Sequence, residues 1–393
     1  MPSSASQPLP AARVGRATAP GSRAASAMPV ARAAARRPAE WRDHFGVWFV
    51  LGVLVSIAYA AAAPPIAPAV ADGARAQALR GGLQPGVSAL WLVLARTAVG
   101  FPLGDPLAHL RALSIAAGAG LAAIWSWRSA TDSRLAAAGA LTPLEIVGAA
   151  AGVLTLAVSR SFFQAATTAG PVAAGALIAV ASLVLAERVW RSPSDRRLGL
   201  ALAAAAGACA GAPLAASAIG WPVATLAWAR AFRRRARWAA PAPMVFGLAA
   251  IGSIIGLARG SAAIGAGDLL RHLFLVSVWR AVANLRAADL VGAATELADQ
   301  VGVLGLLVAG AGMTRLRAGA RIGTLWALLA GLGVRAALGG DADGTIGIIV
   351  AAAAVALPLG VGTVRLAERL GRAAVPAAAA IGVIVVVWPL LAR

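Results

Sequence analysis

The stretch TIGIIVAAAAVALPLGVGTV, from Thr345 to Val364, decides the fold class of this chain. It contains 20 residues and no charge, which is the length that an α-helix needs to cross a hydrocarbon core about 30 Å thick. Asp341 and Asp343 precede the stretch, and Arg365 follows it. An apolar run of this length with charges only outside it predicts a transmembrane helix.

Ten further apolar runs have a similar composition. They lie at about residues 45–63, 108–127, 142–159, 170–187, 198–214, 217–232, 241–259, 300–314, 322–339 and 373–391. The whole chain is 60% apolar and 13% charged, with a mean hydropathy of +0.79. These values exclude a set of soluble domains. We expect an all-α, polytopic transmembrane bundle of about 10–11 spans.

Arginine supplies all the basic charge, because the 35 basic residues include no lysine, and the net charge is +20. If residues 1–44 lie on the inner side, 24 of the 35 arginines fall on that side in this eleven-span register. Basic residues favour the cytoplasmic loops of membrane proteins. The charge therefore predicts a multi-pass protein with a cytoplasmic N-terminus, and it needs no nucleic-acid partner.

The segments outside the spans differ in character. Residues 1–44 are rich in Arg, Ala and Pro, which predicts a disordered cytoplasmic tail. The run at 45–63 resembles a signal peptide, with an arginine pair before it, but the many later spans favour a retained anchor. The outer loops at 64–107 and 260–300 are too long for simple turns, and we expect them to contain helices that lie along the membrane interface.

Two groups of outer-loop residues are candidates for a functional site. Asp72 follows the first span and is either a general base or a helix N-cap. Asp268, Arg271 and His272 fall within one helical turn and form either a substrate lid or a solvated face. Arg111, at the start of the second span, either binds a phosphate or extends its side chain to the lipid headgroups.

Other polar and small residues have simpler interpretations. Glu145 lies in an apolar span, where it could couple ions, but Thr142 three positions earlier predicts a capping box. Gly148 and Gly152 predict close helix packing. Cys209 is the single cysteine, and the three histidines lack metal-ligand spacing, so we expect no metal and no cofactor.

Three stretches are similar to a known bacterial family. They read QPGVSALWLVLAR from Gln84 to Arg96, FPLGDPLAHLRALS from Phe101 to Ser114, and SRSFFQA from Ser159 to Ala165. Their order resembles the family called domain of unknown function 2723, which is similar to the GT-C membrane glycosyltransferases of protein O-mannosyltransferase type. The likeness covers about residues 45–235 and implies a GT-C-like core there, followed by C-terminal transmembrane helices in residues 236–393.

The resemblance implies an enzyme of the bacterial inner membrane that acts on its outer face. A polyprenyl-phosphate-linked sugar would be the donor, and an acceptor hydroxyl would displace the phosphate with inversion. Asp72 matches the base and Arg111 matches a basic residue at the start of the second span. By the same likeness, the donor phosphate would be bound by Arg75, Arg111, Arg160 and Gln164.

The chain also departs from the family pattern. Gly73 and Ala74 stand where the family carries an acidic partner, and Leu83 replaces the histidine of a His-Pro-Pro-Gly motif. These changes support a second hypothesis, a catalytically degenerate relative that binds lipid or acts as a scaffold for a partner membrane protein. A transporter is the third hypothesis, although the spans carry few ionisable residues and no clear inverted repeat.

Overall fold

The structure is a computed structural model that describes residues 41–63, 89–101, 105–132, 142–211, 214–260, 283 and 285–391. Within these ranges the chain is all-α, which confirms the predicted fold class. There are fourteen α-helices in this part of the chain: α1 (Trp41–Ala62), α2 (Ala89–Val99), α3 (Pro106–Asp132), α4 (Pro143–Val158), α5 (Arg160–Thr167), α6 (Val172–Arg191), α7 (Arg196–Ala208), α8 (Leu214–Arg233), α9 (Ala242–Gly260), α10 (Ala287–Val301), α11 (Val303–Met313), α12 (Ala318–Leu338), α13 (Ala342–Glu368) and α14 (Ala374–Leu391).

Each of the eleven predicted spans falls on a helix, but fewer helices have the length and composition of a complete span. Among the described residues, five helical segments are long and apolar enough to cross a membrane: Pro106–Ser126, Val172–Arg191, Ala318–Leu338, Ala342–Glu368 and Gly371–Trp388. The number is seven if two bent helix pairs each count as one span. The helical architecture is thus shown, and the count of 10–11 crossings stays a prediction.

Two of the predicted spans are broken by sharp bends. Helices α4 and α5 meet at 69°, and α10 and α11 meet at 96°. At the first break Ser159 has extended backbone, with φ −60° and ψ 137°. At the second, Gly302 has φ 79° and ψ 148°, a conformation that glycine adopts without steric cost. Periodicity alone predicted continuous helices because the residues on both sides of each break are apolar.

Helix α13 forms the centre of the bundle, and it is the stretch that carries the predicted span from Thr345 to Val364. Its most apolar window is 94% buried inside the protein. It packs against α4, α11, α12 and α14. A helix that is apolar on all sides is stable only when other helices or lipid surround it, and here the protein itself supplies most of that surrounding.

Small residues let the helix backbones around α13 approach one another. A Cβ atom added to Gly152 would overlap the carbonyl oxygen of Ala356, and one added to Gly148 would lie 2.8 Å from the carbonyl oxygen of Gly360. Gly312 and Gly362 form a similar contact between α11 and α13. The close packing predicted for Gly148 and Gly152 is therefore confirmed, and it follows the small-residue rule for membrane helices.

The first outer loop contains one described helix, α2, as predicted. Trp91 is 3% exposed and Ala95 is fully buried, and the helix packs against α3 and α9. In the second outer loop, helix α10 begins at Ala287. The helix predicted around Asp268 lies outside the described residues, and so does the tail of residues 1–40.

The bundle has two distinct ends. At one end, Asp343 at the start of α13 accepts a hydrogen bond of 2.9 Å through Oδ1 from the backbone N–H of Ala215 in the first turn of α8. Helix α8 has 20 residues, so its other terminus lies about 30 Å away. That second terminus carries Arg230, whose guanidinium stacks 4.5 Å from the ring of Trp190. We call the second end the arginine-rich end, and the first the cavity end.

Candidate functional site

A polar cavity opens at the cavity end, where the two broken helix pairs bend. Its volume is about 700 Å³. Eight of its thirteen lining residues are polar or charged, which suits a polar ligand rather than a lipid tail. These eight are Arg160, Ser161, Gln164, Glu296, Asp299, Gln300, Arg335 and Thr345.

The bends bring two helix N-termini to the wall of this cavity. Arg160 and Ser161 form the start of α5, while Gly302 and Val303 form the start of α11, and all four residues line the cavity. Neither helix has a side-chain N-cap hydrogen bond. The first backbone N–H groups of a helix lack intrahelical partners and carry partial positive charge. Both helix starts therefore favour an anion in the cavity.

Two arginines add full positive charge to the same wall. Arg335 Nε donates a hydrogen bond of 2.6 Å to Glu296 Oε2, and its Nη1 also contacts the carbonyl oxygen of Gly339. Arg160 is exposed and makes no hydrogen bond or ion pair with the other described residues. Arg335 is thus committed to the protein, whereas Arg160 is available to an anionic ligand.

The carboxylates in the cavity divide in the same way. Glu296 is engaged by Arg335 and accepts a longer hydrogen bond of 3.4 Å from Gln300 Nε2. Asp299 is exposed and has no hydrogen-bond or ion-pair partner among the described residues. A carboxylate without a partner can accept a hydrogen bond, or a proton, from a ligand hydroxyl.

Gln300 joins the two broken pairs beneath the cavity. The residue is 4% exposed, and its Nε2 donates a hydrogen bond of 2.7 Å to Ser161 Oγ on α5. Its Oε1 has no partner among the described residues. An amide that is buried with an unmet acceptor costs stability, and such exceptions to full pairing concentrate at functional sites.

The sequence-predicted site residues have different outcomes. Arg160 and Gln164 both line the cavity, so the structure brings these two together. Arg111 does not line it, although its helix begins at the same end, where Ser114 Oγ lies 3.0 Å from the carbonyl oxygen of Gly170. The remaining predicted site residues lie outside the described residues: Asp72, Arg75, Asp268, Arg271 and His272.

Four cavity residues were not predicted from the sequence. Glu296, Asp299 and Gln300 are spaced three and four positions apart on α10, which places them near one another on one side of a helix. Arg335 lies in the last turn of α12, at the end opposite to most arginines. That departure from the general arginine bias was the available sequence signal.

Glu145 has a structural role. Glu145 Oε2 accepts a hydrogen bond of 2.7 Å from the backbone N–H of Thr142, and Thr142 Oγ1 accepts one of 3.3 Å from the backbone N–H of Glu145. Pro143 occupies the first helical position. The predicted capping box is therefore confirmed, and it accounts for this acidic residue without ion coupling.

A second buried charged cluster lies towards the arginine-rich end. Glu187 binds two arginines, with Arg128 Nη2 at 2.7 Å from Oε2 and Arg191 Nη2 at 2.5 Å from Oε1. The Arg128 guanidinium also lies 4.3 Å from the centre of the Trp125 ring. The cluster joins α3 to α6, and its charges are paired as buried charges must be.

Metal binding has no support in the described residues, where no group of three or more His, Cys, Asp or Glu side chains is placed to bind an ion. Comparisons with known proteins add no identity. No protein family, no curated protein and no solved structure matches this chain. The functional argument therefore rests on the cavity.

Proposed function

We propose that this chain is a membrane-embedded glycosyltransferase-like protein that binds the sugar-phosphate headgroup of a polyprenyl-linked donor in the polar cavity. One observation carries the proposal. The unpaired Arg160 guanidinium, the unpaired Asp299 carboxylate and the starts of α5 and α11 surround the same polar space. A headgroup with a phosphate and several hydroxyls matches this combination, because it presents both an anion and hydrogen-bond donors.

Arg160 and the two helix starts would bind the phosphate. A guanidinium forms strong, charge-assisted hydrogen bonds to phosphate oxygens, and a helix start adds backbone N–H donors. Both features stabilise the negative charge that develops on the phosphate when its bond to the sugar breaks. Gln164 and Thr345 line the cavity with further polar groups, which suit sugar hydroxyls.

The transfer would then proceed as a single displacement. The oxygen of an acceptor hydroxyl forms a bond to the anomeric carbon, and the bond from that carbon to the phosphate oxygen breaks, with the electron pair staying on the phosphate. The hydroxyl proton passes to a carboxylate. Among the described cavity residues, Asp299 is the carboxylate available for this step, while Asp72 remains the base implied by the family resemblance.

A second candidate function is binding without catalysis. It is favoured by the ion pair between Glu296 and Arg335, which commits one of the two cavity carboxylates to the protein. A chain of this kind would bind a lipid-linked headgroup and present it to a partner membrane protein.

The test uses the full chain reconstituted in phosphatidylcholine vesicles, with radiolabelled polyprenyl-phosphate-sugar donors and soluble acceptors. Saturable donor binding with transfer of label supports the glycosyltransferase. Saturable binding without transfer, across a panel of donor sugars and acceptors, supports the second candidate. The absence of binding in every case contradicts both.

A further inference from the structure

A separate apolar pocket lies near the arginine-rich end, between α7, α8 and α9. Its volume is about 280 Å³, and it is lined mainly by aromatic and aliphatic side chains. The residues that shape it include Trp221, Trp228, Trp238, Phe246, Ala224 and Thr225. The pocket is too narrow for another helix, whose diameter with side chains is about 10 Å, and it suits a single flexible chain.

Hydrogen bonds fix the three tryptophan rings that form its walls. Trp221 Nε1 donates to the carbonyl oxygen of Ala206 at 2.8 Å, and Trp228 Nε1 donates to that of Ala239 at 3.1 Å. Trp238 Nε1 donates to the carbonyl oxygen of Pro193 at 2.6 Å. Because each polar N–H is already satisfied, the rings present apolar faces to the pocket, which is therefore preformed for an alkyl ligand.

The loop between α8 and α9 places a dense positive charge near the pocket. Five arginines fall within eight residues, and the segment contains no acidic residue. They are Arg230, Arg233, Arg234, Arg235 and Arg237, and the last four are exposed. Trp228 precedes this loop and Trp238 directly follows it, so the charged loop and two pocket walls belong to one short segment.

The backbone of the loop is unusual at Arg235. Its φ of 52° is the one positive φ among the described non-glycine residues. The N–H of Ala236 bonds to the carbonyl oxygen of Ala231 at 3.0 Å, which completes the turn that ends α8. Glycine usually occupies such a left-handed position. An arginine there adds charge at the tip of the loop although the conformation disfavours a side chain.

We propose that the apolar pocket and the arginine loop together bind one anionic phospholipid. One acyl chain occupies the space between the tryptophan rings, and the headgroup phosphate lies on the exposed arginines of residues 233–237. Charge complementarity selects an anionic headgroup, and the apolar walls select the chain. This site is at the arginine-rich end, so it is separate from the polar cavity and does not depend on its function.

The test is native mass spectrometry of the full chain after equilibration with equal amounts of phosphatidylglycerol and phosphatidylcholine of identical acyl chains. We expect one phosphatidylglycerol to be retained preferentially, by at least tenfold. Replacing Arg233, Arg234 and Arg235 together by Gln should abolish the preference. A matched control replaces three exposed arginines of the same end but of other loops, Arg315, Arg369 and Arg372, and should leave it unchanged.

The pocket is tested by filling it. Thr225→Phe introduces a ring at a lining position and should reduce phosphatidylglycerol retention about tenfold, whereas Leu226→Phe, at a neighbouring residue that does not line the pocket, should not. A thermal unfolding curve in phosphatidylcholine identifies any variant that fails to fold. For the unmodified protein, retention must also fall between low and high salt.

Two results overturn the proposal. If both arginine triples lower retention equally, the lipid responds to the overall charge of this end and no specific headgroup site exists. If Thr225→Phe binds phosphatidylglycerol as well as the unmodified chain, no acyl chain occupies the pocket. Equal retention of the two lipids by the unmodified protein would likewise contradict it.

Discussion

Gln300 and Ser161 are 139 positions apart in the sequence and are joined by a hydrogen bond of 2.7 Å between Nε2 and Oγ. This contact links α10 to α5, which are the halves of the two broken pairs that face the polar cavity. The cavity therefore depends on a long-range side-chain contact as well as on the bends at Ser159 and Gly302.

We expect Ser161→Ala to destabilise the protein by about 1 to 3 kcal/mol, because the buried amide of Gln300 loses its closest acceptor. The measurement is thermal or denaturant unfolding of the chain in a fixed detergent. Thr295→Ala on α10 is the control, since this exposed hydroxyl bonds only within its own helix. Equal stability of the two variants would show that the Ser161–Gln300 contact contributes nothing.

Arg160→Gln should weaken binding of a polyprenyl-phosphate-linked sugar at least tenfold, which corresponds to about 1.4 kcal/mol. The reason is the loss of the charge that is unpaired at the cavity wall, and because Arg160 is exposed, stability should change little. Binding is measured with radiolabelled donor in phosphatidylcholine vesicles. Arg317→Gln, an exposed arginine at the other end, serves as the control, and equal affinities in both variants would contradict a phosphate role for Arg160.

Asp299→Asn should lower sugar transfer by about 10²- to 10⁴-fold while leaving donor binding intact, as expected when a general base is removed. Initial rates with saturating donor provide the measurement. Asp72→Asn is the comparison. If Asp72→Asn abolishes transfer and Asp299→Asn does not, then Asp72 is the base and the assignment to Asp299 is wrong.

Glu187→Gln should destabilise the protein by about 3 to 5 kcal/mol, because Arg128 would keep a buried charge without its counter-charge. Arg128 is 2% exposed, so water cannot compensate. Unfolding curves of the variant and of Glu368→Gln, an exposed acid on α13, give the comparison. A small effect at Glu187 would indicate that the cluster is hydrated or already neutral.

Arg235→Gly should raise the stability of the protein in phosphatidylcholine by about 1 kcal/mol, because glycine adopts the left-handed conformation without the steric cost of a side chain. The same variant should weaken retention of phosphatidylglycerol. Arg237→Gly removes the same charge at a residue without a positive φ and should not stabilise. A loss of stability in Arg235→Gly would mean that the side chain itself supports the loop.

Several elements of the fold were accessible from the sequence because they depend on local composition. The run from Thr345 to Val364 has no charge and must be surrounded by apolar groups, and it became the buried helix α13. The capping box at Thr142 and Glu145 and the close packing at Gly148 follow equally from residues near in sequence. The break at Gly302 was missed, since a glycine inside an apolar run is also compatible with a continuous helix.

The sequence by itself determined that this chain is a helical bundle with its positive charge concentrated on one side, since length, hydropathy and arginine placement act segment by segment. Only the tertiary structure decided that Arg160 and Gln164 share a cavity with Glu296, Asp299 and Arg335. It also decided that Arg111 does not line that cavity. The physical reason is that a site requires side chains from distant segments at defined separations, and those separations arise from bends and helix packing that no single segment specifies.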